Sequence, residues 1–472
     1  MSLNLNSPLK WTAATPAEQA ALQDLQGNIL KGHGREHTIN VFFRLDPTNI
    51  AGNRSFVKGL GAKVTNALAQ LQAAQAFTAA KKLGKAPADT PPFIALFLSA
   101  TGYGKLGLGT AQTPADPRFL AGLKASQANL QDPLPGTWDS TFQGDVDVML
   151  LVGEDTPKEA QNTVRLLLKS KPAGVVELGR EIGIAYKNEN GDGIEHFGYV
   201  DGRSQPLMLM EDIDREATLS TGTTQWDPAF PLKTALVNDP AGGSAAFGSY
   251  FVFRKLEQNV DGFDAREKAL ARHLGFKGAD EPRAGAMAVG RFKDGTPVVL
   301  QTGGGMNHPV SNDFGFEGDV DGNKCPFHGH IRKANPREDS VRQFPGVTPE
   351  EERSHLMARR GITYGKRLTK RAGMGIKFWD KPKKDVGLLF MAYQNDFANQ
   401  FEFTQASWVN NVNFVRPDTG IDAVLGQGPV TPQHWPTEWG GTDRVDFAFG
   451  GFVTMKGGEY LFAPALSTLA AL

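Results

Sequence analysis

VDVMLLVGED (residues 146–155) and VGLLFMAYQND (386–396) are the two stretches on which the fold turns. Each is a short apolar run that closes in an acidic turn, the pattern of a strand buried on both faces. The segments around them follow the same rhythm. Before the first lie two further strand candidates, TINVFFRLD (38–46), bounded by Pro47 and Asn49, and PPFIALFLSA (91–100). An Ala-, Leu- and Gln-rich helix is predicted between them over 56–76, and PKEAQNTVRLLLKS (157–170) reads as a helix after the pair. Before the second lie the strand GSYFVFRKLEQNV (248–260) and the helix DAREKALARHLGF (264–276); GGFVTMKGGEYLF (450–462) reads as a closing hairpin. One order of strands and helices, used twice, predicts a duplicated α+β unit. The Pro-rich stretch 206–247, with its Gly/Ala/Ser run, reads as a linker. The expected division is an extension over 1–24, a first unit over 25–205, the linker, and a second unit over 248–472.

The chain has 472 residues, with 50 Lys and Arg against 51 Asp and Glu, a formal charge of −1. This balance argues against a nucleic-acid face built from bulk positive charge and against a polybasic membrane anchor. At 40% hydrophobic residues it has enough apolar content for a packed core. Its single cysteine, Cys325, cannot form an internal disulfide, which fits a reducing compartment. MSLNLNSPLKW lacks the features of a signal peptide, and VMLLV (148–152) is far short of a membrane span, so a cytoplasmic protein is expected.

Two motifs imitate ligand loops and fail. TGYGKLGL (101–108) matches G-x-G-x-x-G, but Pro114 and Pro117 follow closely and no acid stands about twenty residues on, so it reads as a turn. EGDVDGN (317–323) opens like a calcium loop, but His328 stands where the bidentate Glu belongs, so it reads as a solvated turn. The densest cluster of ligand-type residues is CPFHGHIRKANPR (325–337), with Cys325, His328 and His330, and His308 upstream. Imidazole and thiolate suit zinc or non-haem iron; one histidine also suits the axial position of a haem. Phe327 and Ile331 would then supply apolar wall, and Arg332, Lys333 and Arg337 the charge near the propionates. Asp201, in FGYVDGRSQP (197–206), reads either as an Asp-Gly turn or as a carboxylate projected into a pocket. Arg359 and Arg360, in MARRGITYG (357–365), read as a solvated pair or as a contact to an anion.

These segments, with LQGNILKGHGR (25–35), GLLFMAYQNDFANQFEF and GGEYLFAPAL, lie in one order along nearly the whole chain. In that order they resemble the dye-decolorizing peroxidases, in particular the longer, intracellular-type members. The resemblance implies two ferredoxin-like halves, antiparallel sheets with peripheral helices, of the dimeric α+β barrel type. It also implies haem b, hydrogen peroxide as oxidant, an oxyferryl intermediate, and dyes or phenolics as one-electron donors. By the same resemblance His330, followed directly by Ile331 and Arg332, is the proximal iron ligand, while His328 stands where the family has a small or apolar residue. Asp201 matches the distal acid–base and Arg359 the distal arginine. Leu388 and Phe390 match the apolar lining, and Glu402 the acid that hydrogen-bonds the proximal histidine. Arg332 is expected against the cofactor. A carboxylate shuttle implies an acidic pH optimum, and the family often forms homo-oligomers. Trp379 and Trp408 are candidate electron relays. The competing readings are a non-haem metal oxidase built on His308, Cys325, His328 and His330, and a haem carrier without turnover.

Overall fold

The computed structural model describes residues 3–85, 90–219, 222–306, 309–372 and 375–472. Eight strands of its main sheet form a closed ring. Four come from the first part of the chain: β1 (His37–Arg44), β2 (Phe93–Leu98), β3 (Val148–Glu154) and β4 (Val176–Ile184). Four come from the second: β5 (Phe247–Gln258), β6 (Ile362–Tyr364), β7 (Gly387–Gln394) and β8 (Val453–Ala463). The first set pairs in the order β2-β3-β1-β4 and the second in the order β8-β5-β7-β6, antiparallel throughout. These are the same topology twice, fourth strand beside first, first beside third, third beside second. Single antiparallel bridges, Phe462 to Leu98 and Tyr364 to Gly183, join the sets edge to edge. Closure of this kind leaves few free strand edges.

β2 and β3 are buried along their whole length, as their unbroken apolar runs predict. Aromatic rings from the two halves meet in the core: Phe97 stacks on Phe251 at 4.1 Å and Phe42 meets Phe253 edge-on at 4.9 Å. The helices α1 (Ile50–Gly61), α2 (Ala67–Lys82), α3 (Pro157–Leu167) and α4 (Val260–His273) follow strands in both halves. Each begins at a side-chain cap: Asn49 accepts from Gly52, Asn66 from Ala69, Thr156 from Glu159 and Asn259 from Gly262. The Asn66 cap explains why the helix expected over 56–76 is two helices.

Three further expectations are corrected. The stretch 450–462 is no hairpin: β8 runs straight through Gly457 and Gly458, with a bulge between Met455 and Gly457. The Phe142 ring presses on Gly457, where an added Cβ would stand 2.3 Å from it, so the glycines make room for packing rather than turn the chain. TGYGKLGL holds a six-residue helix, Ala100–Lys105, capped by Ser99, and Gly102 lies against the Asp147 carbonyl. The turn over 317–323 is anchored rather than solvated. Asp319 is buried and accepts from the N–H groups of Asn323, Lys324 and Cys325. The stretch 206–247 carries a helix, Met210–Leu219, and exchanges backbone bonds with the N-terminal extension: Leu9 N–H donates to the Met208 carbonyl (2.9 Å) and Met210 N–H to that of Leu9 (3.0 Å). Among the described residues no helix is long and apolar enough to cross a membrane.

Candidate active site

A cavity of about 520 Å³ opens beside the second set of strands, within the range of cofactor sites. It is mostly apolar, with Val289, Ile331, Leu356, Phe401, Val409 and Leu425 among its walls. β7 contributes Leu388 and Phe390. Strand alternation turns these two to the cavity while Leu389 and Met391 are buried in the core. The π-helical segments Phe397–Glu402 and Thr404–Val409, invisible to a 3.6-residue period, add Phe401, Thr404 and Gln405.

His330 opens the short helix α5 (His330–Ala334). The preceding Gly329 fits where an added Cβ would lie 2.8 Å from the Met287 carbonyl, which lets the histidine approach the helix Pro282–Val289. Its Nδ1 donates to Oδ2 of Asp422 at 2.9 Å, and the other Asp422 oxygen accepts from the N–H groups of Val424 (2.7 Å) and Leu425 (2.8 Å). Burial disfavours the imidazolium, but Asp422 outweighs it and holds the His330 pKa above its ordinary value. Burial likewise opposes the Asp422 charge, and His330 with the two N–H groups keeps that pKa low. His330 is enclosed by protein, yet 26% of its side chain is accessible, onto the cavity. Lys333, one turn further on, donates to the carbonyls of Asn411 (2.7 Å) and Gly420 (2.6 Å) and so secures the loop that leads to Asp422. Burial pushes its pKa down to about 7.

His328 is elsewhere. It is buried edge-on against Trp435, ring centroids 4.2 Å apart, and burial drives its pKa well below the ordinary value. Cys325 is buried, with its pKa pushed up to about 12, and does not line the cavity; His308 lies outside the described residues. The quartet of the non-haem reading is therefore not assembled: of the three members described, only His330 reaches the cavity.

Asp201 lines the same cavity at the end of the 193–201 loop. Gly198 (φ 93°) and Gly202 (φ 74°) take backbone conformations that side-chain-bearing residues avoid, which is why glycines flank it. Its Oδ1 accepts from Gly202 N–H at 2.6 Å. Arg359 sits on a two-residue strand, Ala358–Arg359, paired to β7 through Ala392. Its backbone N–H donates to Gln205 (3.1 Å) and its guanidinium to the Ser204 carbonyl (2.8 Å), binding it to the segment that carries Asp201. Burial lowers the Arg359 pKa, and Asp201 partly offsets this.

Two expected site residues are corrected. Glu402 does not meet His330. It is buried outside the cavity lining, accepting from Ser126, Asn129 (3.2 Å) and Tyr460 (2.9 Å) and pairing with Arg118 (3.1 Å). The acid on the histidine is Asp422, which sequence reasoning missed because TGIDAVLG carries no motif. Arg332 is fully buried, bound to Asp319 and Asp339 and sandwiched between Phe316 and Phe327, so it braces the loop and cannot turn to a ligand. Lys333 and Arg337 are also outside the lining. The cations that do line it are Arg35, Arg203, Arg291, Arg359 and Arg360. Arg203 pairs with Glu216 at 2.9 Å. Among the described residues Arg291 donates to the carbonyls of Gly295 and Ser311 and to the Asn312 side chain, and burial pushes its pKa down to about 9.

Comparison with known proteins identifies the family and supports the fold. Residues 24–183 match the family model of the DyP dimeric alpha+beta barrel domain. The chain is 45% identical to the multifunctional dye peroxidase DyP2 of Amycolatopsis sp., covering all of both chains, and its fold superposes on that structure with a TM-score of 0.92. The DyP-type peroxidase of Anabaena sp. is 35% identical, with 98% and 96% of the two chains covered and a TM-score of 0.89. This is a peroxidase. The chain belongs to the dye-decolorizing, or DyP-type, peroxidases, a family of haem enzymes.

Proposed function

We propose that this chain is a haem b peroxidase that uses hydrogen peroxide to oxidise dyes and phenolic donors. His330 is its proximal iron ligand, Asp201 its proton shuttle and Arg359 its charge stabiliser. The observation that carries the reading is the single cavity that holds an anchored imidazole, a carboxylate and a guanidinium among apolar walls. The residues fit the cofactor. An enclosed histidine with Nδ1 fixed by Asp422 and its remaining accessible surface on the cavity has Nε2 left for a metal. Arg291, a buried guanidinium, and Arg203, both on the cavity lining, supply positive charge for the propionates.

When bound, haem iron supplies the centre at which peroxide is activated and oxidising equivalents are held. The chain's own groups do the rest. Asp422 keeps the Nδ1 proton in place and makes the imidazole more electron-donating. Asp201 takes a proton from one peroxide oxygen and returns it to the other, directly or through one water. Arg359 stabilises the negative charge that builds on the departing oxygen. Leu388 and Phe390 keep the reaction space apolar, which strengthens both interactions.

A spectrum of the purified holoenzyme tests this. One equivalent of peroxide is expected to change the Soret band within seconds, and two equivalents of a phenolic donor to restore it. A haem spectrum indifferent to peroxide would identify a carrier without turnover.

A further inference from the structure

Glu195 stands six residues before Asp201 on the same loop, and both line the cavity. Its two oxygens collect three hydrogen bonds. Oε2 accepts from the N–H of Phe197 (2.7 Å) and from Nε2 of Gln258 (2.5 Å), and Oε1 accepts from the N–H of Tyr199 (2.9 Å). The backbone closes around the same point: Gly198 N–H donates to the Glu195 carbonyl (2.9 Å), Glu195 N–H to that of Tyr199 (3.1 Å), and Asp201 N–H to that of Gly193 (3.0 Å). Gln258 is the last residue of β5, so this one carboxylate ties the loop to the barrel wall.

The tie is chemically expensive. No cation among the described residues forms an ion pair with Glu195. Burial pushes its pKa up to about 7 against the pull of its three donors, and repulsion from Asp201 adds to the rise. The groups that face it are Asp201 and Tyr199 on its own loop, the latter donating to Glu267 on α4, and Gln258 on β5. A carboxyl group accepts from all three donors, ionised or protonated, because its O–H oxygen is still an acceptor, whereas an amide would set its own N–H against one of them. The loop it organises ends at the residue read as the proton shuttle.

Resting on that reading of Asp201, we propose that Glu195 is its positioning residue: the Glu195 carboxyl group, through its three hydrogen bonds, fixes the 193–201 loop in the form that presents Asp201 to the reaction space. Glu195 itself exchanges no proton with peroxide in this account.

The test is a double-mutant cycle on the holoenzyme, reading by stopped flow the second-order rate at which peroxide changes the Soret band. Glu195→Gln is expected to bind haem with an unchanged resting spectrum and to slow that rate on the order of 10- to 100-fold, the cost of misplacing a catalytic group. Combined with Asp201→Asn, it should add less than about twofold to the loss of Asp201→Asn alone, since both act through one group. A Glu195→Gln rate equal to the parent's, or a loss that multiplies fully with that of Asp201→Asn, overturns the proposal. Should Glu195→Gln fail to fold, Gln258→Met cuts only the tether to the barrel. It is expected to slow the same step a few-fold, and a parental rate there is equally decisive against it. A fully active Asp201→Asn would instead remove the reading on which the proposal rests.

Discussion

At the residue scale the site depends on which acid serves His330. Asp422 and Glu402 are both buried and both hydrogen-bonded, but only Asp422 touches the imidazole. Asp422→Asn is expected to cost about 10–100-fold in peroxidase activity, in the manner of groups that orient a metal ligand. Glu402→Gln is expected to keep the spectrum and activity and to lose about 1–3 kcal/mol of stability, because Ser126, Tyr460 and Arg118 would face a weaker acceptor. Visible spectra, turnover and denaturant unfolding of the two variants separate these outcomes. Much of the site was legible at this scale. Asp201 and Arg359 lie in glycine-marked motifs, and Leu388 and Phe390 share one face of a strand. What stayed hidden was contact over sequence distance: Asp422 is 92 residues from the histidine it holds. Arg332 looked available because its partners, Asp319 and Asp339, are invisible as partners in a linear chain.

A second residue-scale effect concerns pH. His196 donates from Nε2 to the Tyr364 carbonyl at 2.7 Å, which fixes the neutral tautomer, and burial lowers its pKa to about 4. The unfolded chain therefore binds a proton, between the ordinary histidine value near 6.5 and about 4, that the folded chain refuses. The contribution to stability is present above 6.5 and lost as pH falls through that window. His196→Gln keeps a donor to Tyr364 without the titration. Relative to the parent, its unfolding free energy should rise by about 1.4 kcal/mol per pH unit on acidification across the window. A difference independent of pH in urea unfolding would contradict this. The buried histidine thus limits stability at the acidic pH where a carboxylate shuttle is expected to work best.

At the scale of elements, sequence periodicity located most strands and failed where packing decides. The double glycine at 457–458 is the clearest case. Gly-Gly between apolar runs is turn chemistry, yet here it admits the Phe142 ring against a continuous strand. Gly457→Ala, with φ at 142° and an added Cβ 2.3 Å from that ring, should cost about 1–3 kcal/mol in chemical denaturation. The π-helical run after β7 was equally illegible, since it has no 3.6-residue stripe, and it is the element that brings Phe401, Thr404 and Gln405 to the cavity. Lys333 shows how α5 and the 411–422 loop act together. Its ammonium donates to three carbonyls, those of Val409, Asn411 and Gly420, and Lys333→Met should lower stability by about 1–3 kcal/mol by leaving those carbonyls unpaired.

At the scale of the whole molecule, the internal repeat read from 146–155 and 386–396 corresponds to β3 and β7, the third strand of each four-stranded set. Repetition is a local signal and so was legible. Closure was not, because it rests on two single bridges between strands far apart in the chain and on rings that meet across the halves. Phe253, fully buried against Phe42 and Phe142, belongs to that shared core. Phe253→Ala is expected to cost about 3–5 kcal/mol.

The central claim is the grip of His330 on iron. The direct measurement is the visible spectrum of haem-reconstituted His330→Gly and His328→Gly, each with and without added imidazole. His330→Gly is expected to lose the parental Soret band and to regain it with imidazole, while His328→Gly keeps that band throughout. A parental spectrum in His330→Gly, or its loss and imidazole rescue in His328→Gly, would contradict it.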